Sequence, residues 1–196
     1  KQEKALEKLQ LDKSCPLLLF VGKIMESKGV RDLLDAYLRI DADCTLVVVG
    51  PPKNDSLVNR MNKIPDSDVR YLGYTEQMQL DALFKSADLF VFPTRADVFP
   101  LVTLEAMAAG TPVVTTTVGG LPEQISDQVG TLVEPKDTES IASAIDEFLY
   151  NEERRQMASE AALRRVREKF SWETVAERTA KEYIEILKQN NNKNSQ

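Results

Sequence analysis

The feature that most constrains the fold of this chain is a regular alternation of short apolar runs with longer amphipathic segments. Runs that are apolar on both faces are typical of parallel strands covered by helices on either side. Such an alternation with short connections predicts a doubly wound α/β fold, in which a parallel sheet of about six strands carries helices on both faces. The predicted strands are 16–22, 45–50, 69–73, 88–92, 112–116 and 130–134, and the predicted helices include 29–40, 56–63, 77–86 and 100–109.

The chain of 196 residues is predicted to form one domain. Residues 1–14 are a charged amphipathic leading segment, residues 15–189 form the domain, and the polar residues 190–196 are predicted to be a disordered tail. The last third, residues 138–188, is predicted to be helical, with Ser171 as the N-cap of the final helix. Because the sequence lacks an initiating methionine, we expect it to be part of a longer protein, although a processed N-terminus would give the same sequence.

Composition excludes several classes of function. The formal net charge is −6 and no long basic run is present, which argues against nucleic-acid binding. Histidine is absent and the two cysteines, Cys15 and Cys44, are isolated, so neither histidine-based catalysis nor a metal site is expected. No transmembrane run or signal peptide is visible, and a cytoplasmic location is expected.

Unusual residues follow several predicted strands at the point where each strand ends. Lys23 and Lys28 follow the first strand, Gly73 and Tyr74 follow the third, and Asp97 follows the fourth. The paired glycines 119–120 follow the fifth strand and are predicted to form a tight turn rather than an anion site. In doubly wound sheets, ligands bind outside the carboxyl ends of the strands. These residues are therefore predicted to meet at one edge of the sheet.

Glu105 is the one ionised side chain in the apolar segment 99–114. Pro100 is suited to the first position of a helix and Gly110 to the position beyond its end, so Glu105 is predicted to lie inside that helix. A carboxylate in such a segment must be paired, neutralised or directed into a polar cleft. A salt bridge or a solvent-facing turn is the structural alternative to a functional role, in which two carboxylate oxygens accept bonds from vicinal hydroxyls such as those of a ribose.

The start of the same helix offers backbone amides near Leu101 and Val102 to an anion. With Lys23 and Lys28, these amides could balance a diphosphate without a metal, although loop lysines are more often solvated surface. Neither G-x-G-x-x-G after the first strand nor G-x-x-x-x-G-K-[ST] is present. A classical NAD or FAD fold and a P-loop NTPase are therefore disfavoured.

Taken in order, six segments resemble the C-terminal, donor-binding domain of GT-B glycosyltransferases of the retaining family 4, a Rossmann-like domain. The segments are "LLLFVGKIMESKGVRDLLDAY", "TLVVVGPP", "VRYLGY", "SADLFVFPTRADVFPLVTLEAMAAGTPVVTTTVGGLPEQI", "GTLVEPKD" and "FSWETVAERTAKEYIEI". They extend over residues 16–187. The family motif E-x7-E appears here as D-x7-E, formed by Asp97 and Glu105.

The resemblance implies roles for particular residues. Asp97, Lys23 and Lys28 would be catalytic, with Asp97 facing the donor sugar and the lysines stabilising the departing diphosphate. Glu105 would hold the ribose hydroxyls of a nucleotide sugar. The remaining contacts with the donor would come from Leu101 and Val102 through their amides, from Gly73 and Tyr74 beside the base, and from Gly22 and Phe99. No metal or other cofactor is expected.

The resemblance implies transfer of a hexosyl group from a nucleotide sugar to an acceptor hydroxyl with retained configuration. Three residues depart from the family pattern: Asp97 is shorter than the usual glutamate, Lys23 replaces arginine and Pro100 replaces a common glycine. An N-terminal acceptor-binding domain would be missing, so the chain alone is expected to have little or no activity. Peripheral contact of that N-terminal domain with the inner face of a membrane is left as an alternative to a purely cytoplasmic location.

Two other functions fit the same residues. The chain could be a non-catalytic nucleotide-sugar-binding module, a reading motivated by Asp97 and by the missing half. It could also belong to a nucleotide-sugar epimerase of the same architecture. The absence of histidine and the close match to D-x7-E count against the epimerase.

Overall fold

The computed structural model describes residues 15–65 and 69–193, with side chains described up to residue 188. The predicted leading segment 1–14 and the last three residues of the predicted tail lie outside the described residues. The centre of the fold is a six-stranded sheet in which all neighbouring strands are parallel. The strands are β1 Leu17–Val21, β2 Thr45–Val49, β3 Val69–Gly73, β4 Leu89–Phe92, β5 Val113–Thr116 and β6 Gly130–Val133. All six predicted strands are confirmed.

The order of the strands determines where a ligand can bind. In space the order is β3-β2-β1-β4-β5-β6, so the chain builds one half of the sheet outward from β1 and then crosses to β4 to build the other half. The connections after β1 and β4 therefore leave the sheet on opposite faces. A crevice opens between them at the carboxyl ends of these two central strands, which is the ligand site expected of such a topology.

Helices connect the strands and cover both faces of the sheet. Their lengths follow the apolar periodicity of the sequence, and the predicted helix 77–86 is reproduced without change. They are α1 Val30–Tyr37, α2 Asp55–Met61, α3 Gln77–Ser86, α4 Leu101–Ala108, α5 Leu121–Gln124, α6 Thr138–Tyr150, α7 Glu152–Arg165 and α8 Trp172–Lys193. The predicted doubly wound α/β fold is confirmed.

The core lies on the two faces of the sheet and is dominated by side chains from β1, β2 and β4. The rings of Phe20 and Phe92 stack with centroids 5.7 Å apart, and those of Phe90 and Phe92 with centroids 6.1 Å apart. All three side chains are at most 2% exposed. Burial of each such side chain contributes about 1.5–3 kcal/mol to folding. The loops that follow β1 and β4 thus leave from strands whose side chains are buried in the core.

The helical last third contains two breaks. The first is at Asn151, between α6 and α7, and the second is a five-residue π-helical turn, Val166–Phe170, between α7 and α8. The predicted N-cap is confirmed, because the amide of Thr174 donates to Ser171 Oγ at 3.1 Å. The α8 backbone is helical to Lys193, four residues into the segment 190–196 for which we predicted disorder. In the part of the chain that is described, no helix has the length and apolar character needed to cross a bilayer.

Candidate functional site

An open cleft of about 450 Å³ lies at the carboxyl ends of β1 and β4. It contains two lysines, one aspartate and one glutamate, and the remaining lining is apolar or backbone. Eight of the ten residues predicted to touch a ligand line this single cleft: Gly22, Lys23, Lys28, Asp97, Phe99, Leu101, Val102 and Glu105. Residues 82 positions apart in the chain (105 − 23) are thus brought to one crevice by the topology.

The two lysines enter the cleft from the connection between β1 and α1. Lys28 ends a short 3₁₀ turn, Glu26–Lys28, and its ammonium lies 5.7 Å from the centre of the Phe92 ring. Its side chain is 25% exposed, so its position is fixed by neighbours. Lys23 stands nearer to β1 and is exposed. The cleft therefore holds one ordered ammonium group and one that extends into solvent.

Asp97 faces Lys28 directly across the cleft. Lys28 Nζ donates to Asp97 Oδ2 at 2.5 Å, and the Asp97 side chain is 17% exposed. The residues come from different loops, one after β1 and the other after β4. A charge-assisted hydrogen bond of this kind is about twice as strong as one between neutral groups. The ion pair connects the two sides of the crevice at the carboxyl ends of β1 and β4.

Helix α4 directs its N-terminus into the same cleft. Pro100 has an extended ψ of 125° and is the N-cap, so the helix begins at Leu101. Our prediction that Pro100 takes the first helical position is therefore one residue too early. The missing N–H of proline falls outside the first turn, and the amides of Leu101 and Val102 have no acceptor within the helix. They and the positive end of the helix dipole face the crevice and suit an anion.

Two buried polar side chains, not found by sequence reasoning, hold the start of α4 in place. Thr103 Oγ1 donates to the Pro100 carbonyl at 2.8 Å, and Gln124 Nε2 donates to the same carbonyl at 3.1 Å. Thr103 also contacts Gln124 through its hydroxyl. Both side chains are fully buried. A sequence pattern does not identify such a pair, because Gln124 reaches α4 from a different helix.

Glu105 lies one turn into α4, at the boundary between this cleft and a second groove. The second groove, of about 270 Å³, runs between α3 and α4 and is lined by Glu105, Gln77, Asp81, Phe84, Lys85, Ala108 and Ala109. Burial of the carboxyl group, with a further contribution from the charge of Asp81, raises the pKa of Glu105. Among the ion pairs of the described residues none involves Glu105. Glu105 is exposed and lines both clefts, so its carboxylate is accessible to donors on a ligand.

The paired glycines after β5 have no side chain, which leaves room for the loop that contains Asp97. Gly119 has a φ of 57°, and a Cβ there would lie 2.1 Å from the Asp97 carbonyl oxygen. A Cβ on Gly120 would lie 2.4 Å from the Phe99 ring. The amide of Gly120 donates to the Val98 carbonyl at 2.7 Å. These contacts make the pair a turn that supports residues 97–99.

Gly73 and Tyr74 are the two predicted site residues that do not line the cleft. Gly73 ends β3 and Tyr74 follows it, and β3 is separated from β1 by β2. The Gly73 carbonyl accepts from the amide of Gly50 at 2.8 Å, which fixes the loop against the end of β2. The Tyr74 side chain is 86% exposed. Both residues lie at the same edge of the sheet as the cleft, beyond its lining.

Comparison with known proteins identifies relatives of the whole described domain. The family model described as "Glycosyl transferases group 1" matches residues 1–165. Glycogen synthase of Mycobacterium tuberculosis is 36% identical over 173 residues, which are 85% of this chain and 42% of that protein. This chain therefore spans less than half the length of that relative.

Solved structures reproduce the architecture. Sucrose-phosphate synthase from Thermosynechococcus elongatus superimposes with a TM-score of 0.79 at 29% identity, over 95% of this chain and 49% of that one. The C-terminal domain of a glycosyl transferase group 1 family protein from Francisella tularensis gives a TM-score of 0.75 at 23% identity. It is matched over 88% of this chain and 94% of its own length, so its fold corresponds to the entire domain.

Proposed function

The chain belongs to the glycosyl transferases group 1 family. From that premise we propose that it is the donor-binding domain of a retaining hexosyltransferase. We also propose that it binds the donor without a divalent metal. The observation that supports the proposal is that Lys28, the first two residues of α4 and Glu105 line a single cleft. A nucleoside diphosphate has the matching sequence of groups: a diphosphate at one end and a ribose with two neighbouring hydroxyls at the other.

The diphosphate is assigned to the lysines and to the helix start. A diphosphate carries about two to three negative charges, which two ammonium groups and a helix N-terminus can compensate. Lys28 provides the ordered charge, and Lys23 adds a second, exposed charge from the same connection between β1 and α1. In the transition state these groups stabilise the charge that develops on the departing diphosphate. Because the chain itself supplies the positive charge, we expect the diphosphate to bind without a divalent cation.

The ribose is assigned to Glu105. It stands one helical turn beyond the amides of Leu101 and Val102, which corresponds to about 5.4 Å along the helix axis. Its two carboxylate oxygens match two neighbouring hydroxyl donors. The free oxygens and the partial burial that raises the pKa of Glu105 support this assignment, because a bound ribose would supply the missing hydrogen bonds. The base would then lie further out, toward the edge that carries Gly73 and Tyr74.

The sugar is assigned to the side of the cleft that contains Asp97. In the proposed reaction, the bond between the anomeric carbon and the diphosphate oxygen breaks, and a new bond forms to the acceptor oxygen on the same face. In that step the diphosphate leaves with the bonding electrons and takes up the proton that the acceptor hydroxyl loses. The cleft is open to solvent, and we propose that the half of the protein beyond this chain binds the acceptor and closes it.

One observation favours a second candidate, a nucleotide-sugar-binding module without transferase activity. Asp97 is occupied by the ion pair with Lys28, and as an aspartate it reaches one methylene less far than the family glutamate. A module of this kind would bind the donor and leave it unchanged. The two candidates differ only when the longer protein is assayed with donor and acceptor.

The proposal is tested by thermal shift and calorimetry with UDP, GDP and ADP and with their hexose conjugates. Each titration is run with EDTA and with excess Mg²⁺. We expect one diphosphate to stabilise the chain, with affinities in EDTA and Mg²⁺ that agree within about twofold. Absence of binding by every diphosphate would contradict donor binding, and binding that requires Mg²⁺ would contradict metal independence. Transfer by the longer protein separates the enzyme from the module.

A further inference from the structure

A second, more deeply buried ion pair lies behind Lys28 and Asp97. Arg95 donates to Asp32 through two bonds, from Nε to Oδ2 at 2.7 Å and from Nη2 to Oδ1 at 2.6 Å. The side chain of Asp32 is 6% exposed and that of Arg95 is 24% exposed. Asp32 stands in the first turn of α1, and Arg95 is in the loop after β4. This planar pairing fixes both distance and orientation between the two elements.

Backbone contacts join the same two loops on the other side of Lys28. The Ser27 carbonyl accepts from the amides of Arg95 at 2.9 Å and Ala96 at 3.2 Å. It also accepts from the hydroxyl of Thr94 at 3.0 Å. Three donors from one loop thus converge on a single carbonyl of the other. Ser27 directly precedes Lys28, and Ala96 directly precedes Asp97.

Gly29 completes the contact between the loops. It has a φ of 72°, and a Cβ at this position would lie 1.8 Å from the Pro93 carbonyl oxygen. The loop that carries Lys28 is therefore packed directly on the backbone that follows β4. Lys28 is held from both sides, through Ser27 before it and through Gly29 and Asp32 after it.

We propose that Arg95 and Asp32 are positioning residues. They hold the segment 26–32, which includes the first turn of α1, and the loop 93–97 together as one unit, and thereby set Lys28 against Asp97. Their effect on ligand binding rests on the proposed function, whereas their effect on the two loops does not. Neither side chain lines the cleft, so each acts through Lys28 and Asp97 rather than on a ligand. Holding the anion-binding charge in place before a ligand arrives lowers the cost of binding.

Other charged side chains lie close to the pair formed by Arg95 and Asp32. Glu26 lies 3.7 Å from Arg95 and receives a hydrogen bond from Arg31, which lowers the pKa of Glu26. The hydrogen bond from Arg95 to Asp32 in turn raises the pKa of Arg95 above its already high ordinary value. Arg95 is therefore charged at every pH at which the protein would be studied.

The first test is hydrogen exchange of the free chain, which needs no ligand. In Arg95→Met we expect exchange about tenfold faster in segments 26–29 and 94–97, with little change in the central strands. Because an unpaired Asp32 could unfold the chain, the double variant Asp32→Asn/Arg95→Met and the variant Arg95→Lys are measured as well. Arg60→Met is the matched control. It breaks the ion pair between Arg60, on α2, and Asp35, which lies on α1 as Asp32 does. Unchanged exchange in both segments of the folded variants would overturn the proposal.

The second test is a double-mutant cycle on diphosphate binding, with the diphosphate found to bind best as the probe. Arg95→Met is expected to weaken binding about tenfold in the wild-type background and less than twofold in the Lys28→Met background, because it acts through Lys28. Equal losses in both backgrounds would contradict positioning of Lys28. If wild type binds no diphosphate, the proposed function fails, and hydrogen exchange still decides the role of the pair.

Discussion

Lys28 and Asp97 form an ion pair of 2.5 Å across the cleft, although they belong to loops that leave different strands. The pair neutralises two of the four charged side chains that line the cleft. A diphosphate that binds Lys28 must share it with Asp97 or displace it, and the negative charge of Asp97 opposes the approach of an anion. The ion pair thus sets both the geometry of the cleft and part of the free-energy cost of binding an anion there.

Asp97→Asn is expected to bind the diphosphate more tightly than wild type, by about three- to tenfold. The substitution removes a negative charge beside the anion and frees Lys28, while its similar shape preserves the loop. Calorimetry with wild type and variant measures the effect. In the longer protein the same variant should lose most of its transfer activity if Asp97 acts at the sugar. Weaker binding by the folded variant would show that Asp97 supports the diphosphate site instead of competing for it.

Lys28→Ala is expected to weaken diphosphate binding about ten- to a hundredfold, since a hydrogen bond to a charged group contributes about 1.5–3 kcal/mol. Binding of the nucleoside alone should change little. Lys23→Ala removes the same charge from the exposed lip of the cleft and is the matched comparison, with an expected loss below about fivefold. Equal losses for diphosphate and nucleoside would contradict the assignment of Lys28 to the phosphates.

Glu105→Ala is expected to abolish discrimination between a diphosphate of a ribonucleoside and its 2′-deoxy form. In wild type the deoxy ligand should bind about tenfold less tightly, because one of the two hydroxyl donors is gone. Competition binding with both ligands measures this ratio. Glu160→Ala, which removes an exposed carboxylate from the middle of α7, is the control and should keep the wild-type ratio. A ratio that persists in Glu105→Ala would remove Glu105 from the ribose role.

The raised pKa of Glu105 makes the stability of the free chain depend on pH. Burial raises this pKa above the ordinary value of 4.5, so the folded chain holds the proton more tightly than the unfolded chain. The stability that Glu105 contributes is full below pH 4.5 and is lost as the pH rises through its folded pKa. The stability advantage of Glu105→Gln over wild type should therefore grow from pH ~4 to pH ~8 in denaturant titrations. An advantage that is constant or shrinks would contradict partial desolvation of the Glu105 carboxyl group.

Much of the fold could be predicted because each strand is a short apolar run whose ends are marked by Gly, Pro or polar residues. The edge of the sheet that bears the cleft followed from the positions of Lys28 and Asp97 after their strands. The start of α4 was predicted one residue early, because the choice between N-cap and first helical position for Pro100 depends on ψ. A proline fixes φ and leaves ψ open.

The parts that the sequence did not predict are the contacts between distant elements. Asp32 and Arg95 each look like ordinary charged residues, and the hydrogen bonds between them depend on how closely two loops approach. Gly119 was correctly placed in a turn, but the reason for its lack of a side chain is the Asp97 carbonyl beside it. Side-chain pairing of this kind has no period along the chain, so no local pattern reveals it.

The most direct measurement of the central claim is an amide ¹H–¹⁵N NMR titration of the chain with its preferred nucleoside diphosphate and, separately, with the nucleoside. If the start of α4 receives the diphosphate, the amides of Leu101 and Val102 should show the largest shifts with the diphosphate and small shifts with the nucleoside. Saturation with diphosphate that leaves both amides unchanged, or equal shifts with the two ligands, would contradict the account.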